Sequence, residues 1–353
     1  YSSFFLPVCI VLALAIIIYE LSKQIQINKF FRFYNLRKEL KQIRKEQQTI
    51  RKEINLADKT LIGTATGHRK VYTKDDGKHF LICGTTGCGK TVTLSNFLNT
   101  VFEKGYPALF VDGKGDISKG SVLEIVKQLN EKYGKKTVYV VDMNDPENSD
   151  CYNPFKGTNA TIVKDMLVNM TDWTEEHYKI NTERYLQCVI SLMIKANLTI
   201  TLKEIIKYMP IEKFIKFSAE LYRKDIITKE QHIENNEIAE TSGKIASNSI
   251  ARFSVMAESH IGQIFANQGI DIYTALKQNA IILFILDPLS YPELSPKLGR
   301  LILIDSKKAV SRLYRERMNR CFFLFDEINV YASTALLDLL NKSRSANVTC
   351  FCA

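Results

Sequence analysis

The chain has 353 residues, of which 46% are hydrophobic, and a formal net charge of +10 at pH 7. That length is too great for one small core, and the composition is globular, with room for a large domain and a smaller addition. Eight cysteines and five histidines are dispersed along the chain with no CxxC pair, which gives no support to a zinc site and fits a reduced, cytosolic main body.

The first element is apolar. From Phe4 to Tyr19 every residue is uncharged, a run that would extend about 24 Å as a helix, just short of a bilayer core. Because the chain starts at Tyr1, the run is read as the visible part of a longer transmembrane segment over 1–20, with a buried core helix as the alternative. A signal peptide is disfavoured, since the basic residues follow the apolar stretch. Residues 20–60 hold eleven basic and five acidic side chains, six of the ten net charges. An excess beside an apolar run is placed on the cytoplasmic side and attracts anionic lipid, so net basicity by itself says little about nucleic acid. Within this basic juxtamembrane linker over 21–60, Leu36, Leu40, Ile43, Gln47, Ile50 and Ile54 recur at steps of four and three. The spacing allows a short coiled coil or a solvated amphipathic connector.

Phe80, Leu81, Ile82 and Cys83 read as a buried strand that enters Gly84-Thr85-Thr86-Gly87-Cys88-Gly89-Lys90-Thr91, a complete phosphate-loop pattern. A helix is expected to follow over 91–104, with Leu94, Phe97, Leu98, Val101 and Phe102 on one face and Gly105 and Pro107 ending it. Glycines let backbone N–H groups converge on a phosphate, and the helix N-terminus adds partial positive charge. Lys90 is assigned to the β- and γ-phosphates, Thr91 to a Mg²⁺ ion, and Cys88 to a position that only needs a small side chain.

Downstream, Ala108–Val111 and Thr137–Val141 read as strands ending at Asp112 and Asp142, with a helix over 121–133 between them. Alternating strands and helices imply a largely parallel sheet, where ligands bind at strand ends. Surface turns favour Asp as well, so Asp112 and Asp116 carry modest weight. Over 157–246 helical patterns dominate and form an inserted all-helical domain, in which Trp173 and Tyr178 read as core in preference to a base-stacking platform. Strand character returns at Ile281–Leu286, and a helix is expected over 297–317. Five apolar residues, Cys321 to Phe325, then lead into Asp326 and Glu327. Asp326 would hold Mg²⁺ through water, and Glu327 would orient and polarise the attacking water.

These ordered pieces resemble the membrane-anchored coupling-protein ATPases of type IV secretion and conjugation (TraD/TraG type), within the FtsK/HerA group of P-loop motors. The likeness rests on GTTGCGKT after FLIC, LFVDGKGD after the first helix, CYNPF after the third strand, IGQIFANQGIDI before IILFIL, and FLFDEINVY leading through LLDLLNKSRSAN to VTCFCA. It covers 61–156 and 247–353, the expected nucleotide-binding domain. The resemblance implies an α/β fold: a RecA-like P-loop motor domain with a mostly parallel central sheet, an inserted all-α domain and an N-terminal transmembrane helix.

It further implies ATP and Mg²⁺ as cofactors and a homo-hexameric ring at the cytoplasmic membrane with its ATPase domain in the cytoplasm. Such rings drive single-stranded DNA with its relaxase, or a secreted protein, into a type IV secretion channel. Lys90, Thr91, Asp326 and Glu327 match the family's motor positions. Arg344 is the candidate for an arginine acting across a subunit interface, or else a salt-bridging arginine at a helix end; Ser343 and Asn347 stand near or at positions where the family has glycine. A polar γ-phosphate sensor, often Gln, is expected after Ala353. Two other functions compete: a protein-secretion ATPase of the same group that does not act on DNA, and a membrane scaffold that binds nucleotide without turnover.

Overall fold

The computed structural model describes residues 2–53, 59–65, 69–74, 78–85, 87–116, 118, 120–134, 136–316 and 320–353. It divides into two units, Tyr1–Lys59 and Thr60–Ala353. The first is a single helix, α1 (Ser2–Glu53). Its described apolar side chains, among them Leu12, Ile16, Leu36 and Leu40, are exposed. Among the described residues no helix is long and apolar enough to cross a membrane. The transmembrane segment expected over 1–20 is therefore not found there. Of the coiled-coil positions, Ile43, Gln47, Ile50 and Ile54 lie outside the described side chains.

The second unit is built on a sheet. Two strands the sequence reading did not foresee, β1 (Lys59–Ala65) and β2 (Arg69–Lys74), form a separate two-stranded sheet. The main sheet then follows with β3 (Phe80–Leu81), α2 (Lys90–Lys104), β4 (Ala108–Asp112), α3 (Val122–Tyr133) and β5 (Val138–Asp142). Helices α4 (Ala160–Asn169), α5 (Glu176–Lys195), α6 (Leu202–Tyr208), α7 (Ile211–Arg223), α8 (Lys229–Ile238), α9 (Lys244–Glu258) and α10 (Ile272–Lys277) come next. The chain closes with β6 (Ile281–Ile285), α11 (Leu294–Glu316), β7 (Cys321–Asp326), α12 (Thr334–Ser343) and β8 (Val348–Cys352). The helical run thus continues past residue 246 to Lys277.

The six-stranded sheet has the order β3-β8-β7-β4-β6-β5, and every pairing is parallel. Helices cover both faces, so β4, β6 and β7 bury every residue and need the uninterrupted apolar runs that the sequence displays. One face packs on α2 and α3 through Phe97, Val101, Phe110, Phe322 and Phe351. The opposite face continues into the helical segment through Tyr152, Phe284, Phe323 and Tyr185. All six strands run the same way, so their C-terminal ends form one edge.

β3 differs from expectation. It lies at the sheet edge, with β8 as its sole strand neighbour among the described residues, and Leu81 is 76% exposed. Only one side of the strand has a partner, so the run Phe80 to Cys83 is half buried: Phe80 stacks on Phe351 at 4.9 Å while Cys83 faces solvent.

Candidate nucleotide-binding site

The phosphate loop leaves β3 and turns into α2. Gly87 and Gly89 have φ of +80° and +94°, a left-handed conformation that side chains resist, and Gly89 is the N-cap of α2. A Cβ on Gly84 would stand 2.2 Å from Cys88 Sγ, so the loop folds tightly across its own start. Lys90 reaches back over it: Nζ donates to the Gly84 carbonyl at 3.2 Å and lies 3.7 Å from Glu327 Oε1. Gly84, Thr85, Gly87 and Cys88 are exposed, leaving their backbone open to a ligand. Thr86 lies outside the described residues.

The second half of the site comes from β7. Thr91 Oγ1 donates to Asp326 Oδ2 at 2.7 Å, joining residues 235 positions apart. The other carboxylate oxygen, Oδ1, accepts from the Glu327 N–H at 3.0 Å. Asp326 is 1% exposed, so its two oxygens are held by protein donors, ready to share a cation's shell through Thr91 or water. Glu327 adopts φ +47°, ψ +49°, a conformation costly for a residue with a side chain and concentrated at functional turns. The turn takes Glu327 off the strand line and brings its carboxylate toward Lys90.

Two residues that sequence reasoning missed hold this turn. The Asp326 carbonyl accepts from Gly113 N–H at 3.1 Å and from the Tyr331 hydroxyl at 3.1 Å. Any Cβ at Gly113 would meet Asp326 O at 2.8 Å and Glu327 O at 2.9 Å. Tyr331 is buried and leaves no room at Gly299 of α11, where a Cβ would stand 2.4 Å from its own. The signal was present as glycine directly after the β4 carboxylate, but the partner it makes room for is 213 residues away.

Besides Glu327, the aspartates Asp112, Asp142, Asp287 and Asp326 stand along the strand edge. Their partners separate them. Asp112 accepts from Lys114 N–H at 2.9 Å, Asp142 from Asn144 N–H at 2.8 Å, and Asp287 from Ser290 N–H at 3.1 Å. Each closes its own turn; Asp326 also bonds the phosphate-loop helix. Asp112 sits beside Asp326 in register and is 2% exposed. Burial first, and then the neighbouring Asp326 charge, push its carboxyl up to about 6 against the opposing backbone hydrogen bond from Lys114. Asp116 goes the other way, down to about 2, because Ser118 and then Lys114 stabilise its charge.

Arg344 is not part of this cluster. It begins a short 3₁₀ turn ahead of β8, is exposed, and precedes Val348, the partner of Cys321 at the start of β7. Asp326 closes the other end of β7, so within one chain the arginine and the loop occupy opposite ends of the sheet.

Solved structures share this architecture. The conjugative coupling protein TrwB lacking its first 70 residues, in an unbound form, is 14% identical over 84% of this chain and 67% of its own, with a TM-score of 0.52. TrwB has also been solved with ADP and Mg²⁺, at 14% identity, 84% and 68% coverage and a TM-score of 0.52. VirB4 of Thermoanaerobacter pseudethanolicus is 14% identical over 83% of this chain and 76% of its own, at 0.50. At these identities the likeness is one of fold. No curated protein matches the sequence. The family model for type IV secretory system conjugative DNA transfer, however, matches residues 34–331, so the chain belongs to that family.

Proposed function

We propose that this protein is a Mg²⁺-dependent ATPase that couples hydrolysis to the transfer of single-stranded DNA, with its attached protein, into a type IV secretion channel. The observation that carries the enzymatic part is the Thr91–Asp326 hydrogen bond at 2.7 Å, which unites a phosphate loop and a strand-end carboxylate pair into one site. The residues fit nucleotide and metal: the exposed loop with its two left-handed glycines suits a phosphate chain, and a hydroxyl bonded to a buried carboxylate suits a hard cation. Gly84, Thr85, Thr86, Gly87, Cys88 and Gly89 would cradle the phosphates, Lys90 would neutralise the terminal ones, and Thr91 with Asp326 would hold Mg²⁺. The ion would neutralise charge that develops on the transferring phosphoryl group. Glu327 would accept a hydrogen bond from the attacking water and orient it, once anionic phosphate competes for Lys90. Bound ADP and Mg²⁺ in TrwB support the same ligands here.

The DNA part rests on the family model, which covers most of the chain; the fold alone does not separate it from protein secretion. A homo-hexameric ring anchored at the cytoplasmic membrane belongs to the proposal, supported by the apolar run Phe4–Tyr19 and the basic segment behind it. In such a ring Arg344, which is exposed, would serve a neighbouring subunit's nucleotide. The test is Glu327→Gln in the full-length protein. It should keep ATP affinity and lose turnover by about 10²–10⁴-fold, and wild-type turnover should rise with single-stranded DNA. A wild-type protein that binds ATP without turnover is a scaffold, and one that hydrolyses ATP without binding DNA is a motor for another cargo.

A further inference from the structure

A polar groove of about 870 Å³ runs between α11 and the N-termini of α4 and α12, and it shares no residue with the phosphate loop. Lys307, Lys308, Arg312 and Arg315 of α11 line it. Two of these charges are already matched: Lys307 donates to Asp338 at 2.7 Å, and buried Lys308 donates to Asp305 at 2.8 Å and to the Pro154 carbonyl. Asp165, the other acid of the lining, is paired with Lys164. Arg312 and Arg315 are left. Neither makes a hydrogen bond or salt bridge to a carboxylate among the described residues, and the Arg312 guanidinium is held 3.5 Å over the Tyr273 ring, which fixes the plane and leaves its N–H edge available.

The end of α12 adds independent evidence for an anion. Ser333 is its N-cap but makes no side-chain cap bond, and the Ser333 hydroxyl is buried with no partner. The first turn of α12, which no side chain caps, borders the same space as Arg312 and Arg315. N–H donors and arginine charge in one cleft call for phosphate or carboxylate oxygens.

We propose that this groove holds the sugar–phosphate backbone of single-stranded DNA, an inference that rests on the DNA reading above. Its lining favours phosphate over an acidic peptide. The apolar contributions are confined to Ile162, Ile304 and Ala335, with no aromatic, so a peptide would find no deep anchor pocket. Bases would find no stacking platform. Phosphate contacts need neither, and they read no sequence.

Fluorescence anisotropy of a labelled oligo-dT, measured on the full-length protein across a salt series, tests it. Arg315→Glu should weaken binding about tenfold, and the double variant Arg312→Gln/Arg315→Gln should reduce the slope of log affinity against log salt by about 1.4, two single-strand phosphate contacts. Arg315→Lys should keep the slope, and all variants should melt with the wild type. Wild-type binding with unchanged affinity and slope in the double variant overturns the groove assignment alone. Displacement of oligo-dT from wild type by polyglutamate, with polyglutamate affinity lost in the double variant, makes the groove a peptide site and overturns it too. A wild-type protein that turns over ATP yet binds no oligo-dT at low salt overturns the DNA reading itself, and this proposal with it.

Discussion

β4, β6 and β7 bury every residue along their length, whereas the helices from α4 to α9 each bury one face and leave the other in solvent. The contrast shows up in where polar groups can stand. A strand packed on both faces can present chemistry only at its end, so Asp112 and Asp326 emerge side by side, in register, against a fixed floor of Phe110, Phe323 and Phe325. In the helical segment, polar groups are spread over surfaces and several are knitted into local networks, such as Cys188, Asn235, Ser218 and His232. Rigid strand ends give positional precision; helix surfaces give area for partners.

The largest expected effect tests the precise half. Lys90→Ala removes the ammonium that reaches back over the phosphate loop, and turnover should fall about 10³–10⁴-fold, equivalent to ~4–5.5 kcal/mol of barrier; a loss below tenfold would leave Lys90 without its assigned role. Next comes a matched pair of core truncations. Phe323→Ala in β7 and Phe214→Ala in α7 each empty a fully buried site and should each cost about 4 kcal/mol in urea unfolding. They should part in ligand binding: Phe323→Ala loosens the strand that carries Asp326 and should weaken nucleotide affinity, while Phe214→Ala, which packs edge-on to Tyr185 at 5.4 Å, should leave the folded fraction's affinity intact. Equal loss in both would mean that the two regions do not differ in how they serve the site.

A smaller effect is read in pH. For the nucleotide- and metal-free protein, the Asp112 carboxyl is held at about 6 in the folded state, against about 3.9 unfolded. The folded state therefore binds the proton more tightly, so this group's contribution is best below about pH 4 and is lost as pH rises toward 6, by about 2–3 kcal/mol in all. Asp112→Asn should lose that decline, seen as a smaller stability difference between pH 4 and 7 than in wild type; parallel curves would remove Asp112 from the account. The smallest change concerns a helix end. Thr228 and Gln231 form a capping box at α8, with bonds of 3.2 and 3.3 Å. Thr228→Ala should cost about 1 kcal/mol with turnover unchanged.

Much of the site was legible before any coordinates. Lys90, Thr91, Asp326 and Glu327 fall on recognisable patterns because phosphate and metal binding need particular atoms at particular chain spacings, and the buried strands at 108–112, 281–285 and 321–326 show themselves as apolar runs. The half-buried edge strand at Phe80 was not legible, since an apolar run looks the same whether one neighbour or two will flank it. Gly113 and Tyr331 were missed for a related reason: their roles consist of contacts with Asp326 and Glu327, and nothing local in the chain marks a long-range contact.

By itself the sequence determined that a phosphate loop opens a helix, that two carboxylates end an apolar strand, and that strands and helices alternate around a long helical run. These are properties of neighbouring residues, set by steric freedom, periodicity and charge. Tertiary structure alone decided which of four strand-end aspartates meets Thr91, that Glu327 turns back toward Lys90, that Arg344 stands at the other end of the sheet, and that Arg312 and Arg315 share a groove with the open end of α12. Those outcomes depend on strand order and register, and parallel pairing brings together residues whose separation in the chain carries no record of their distance in space.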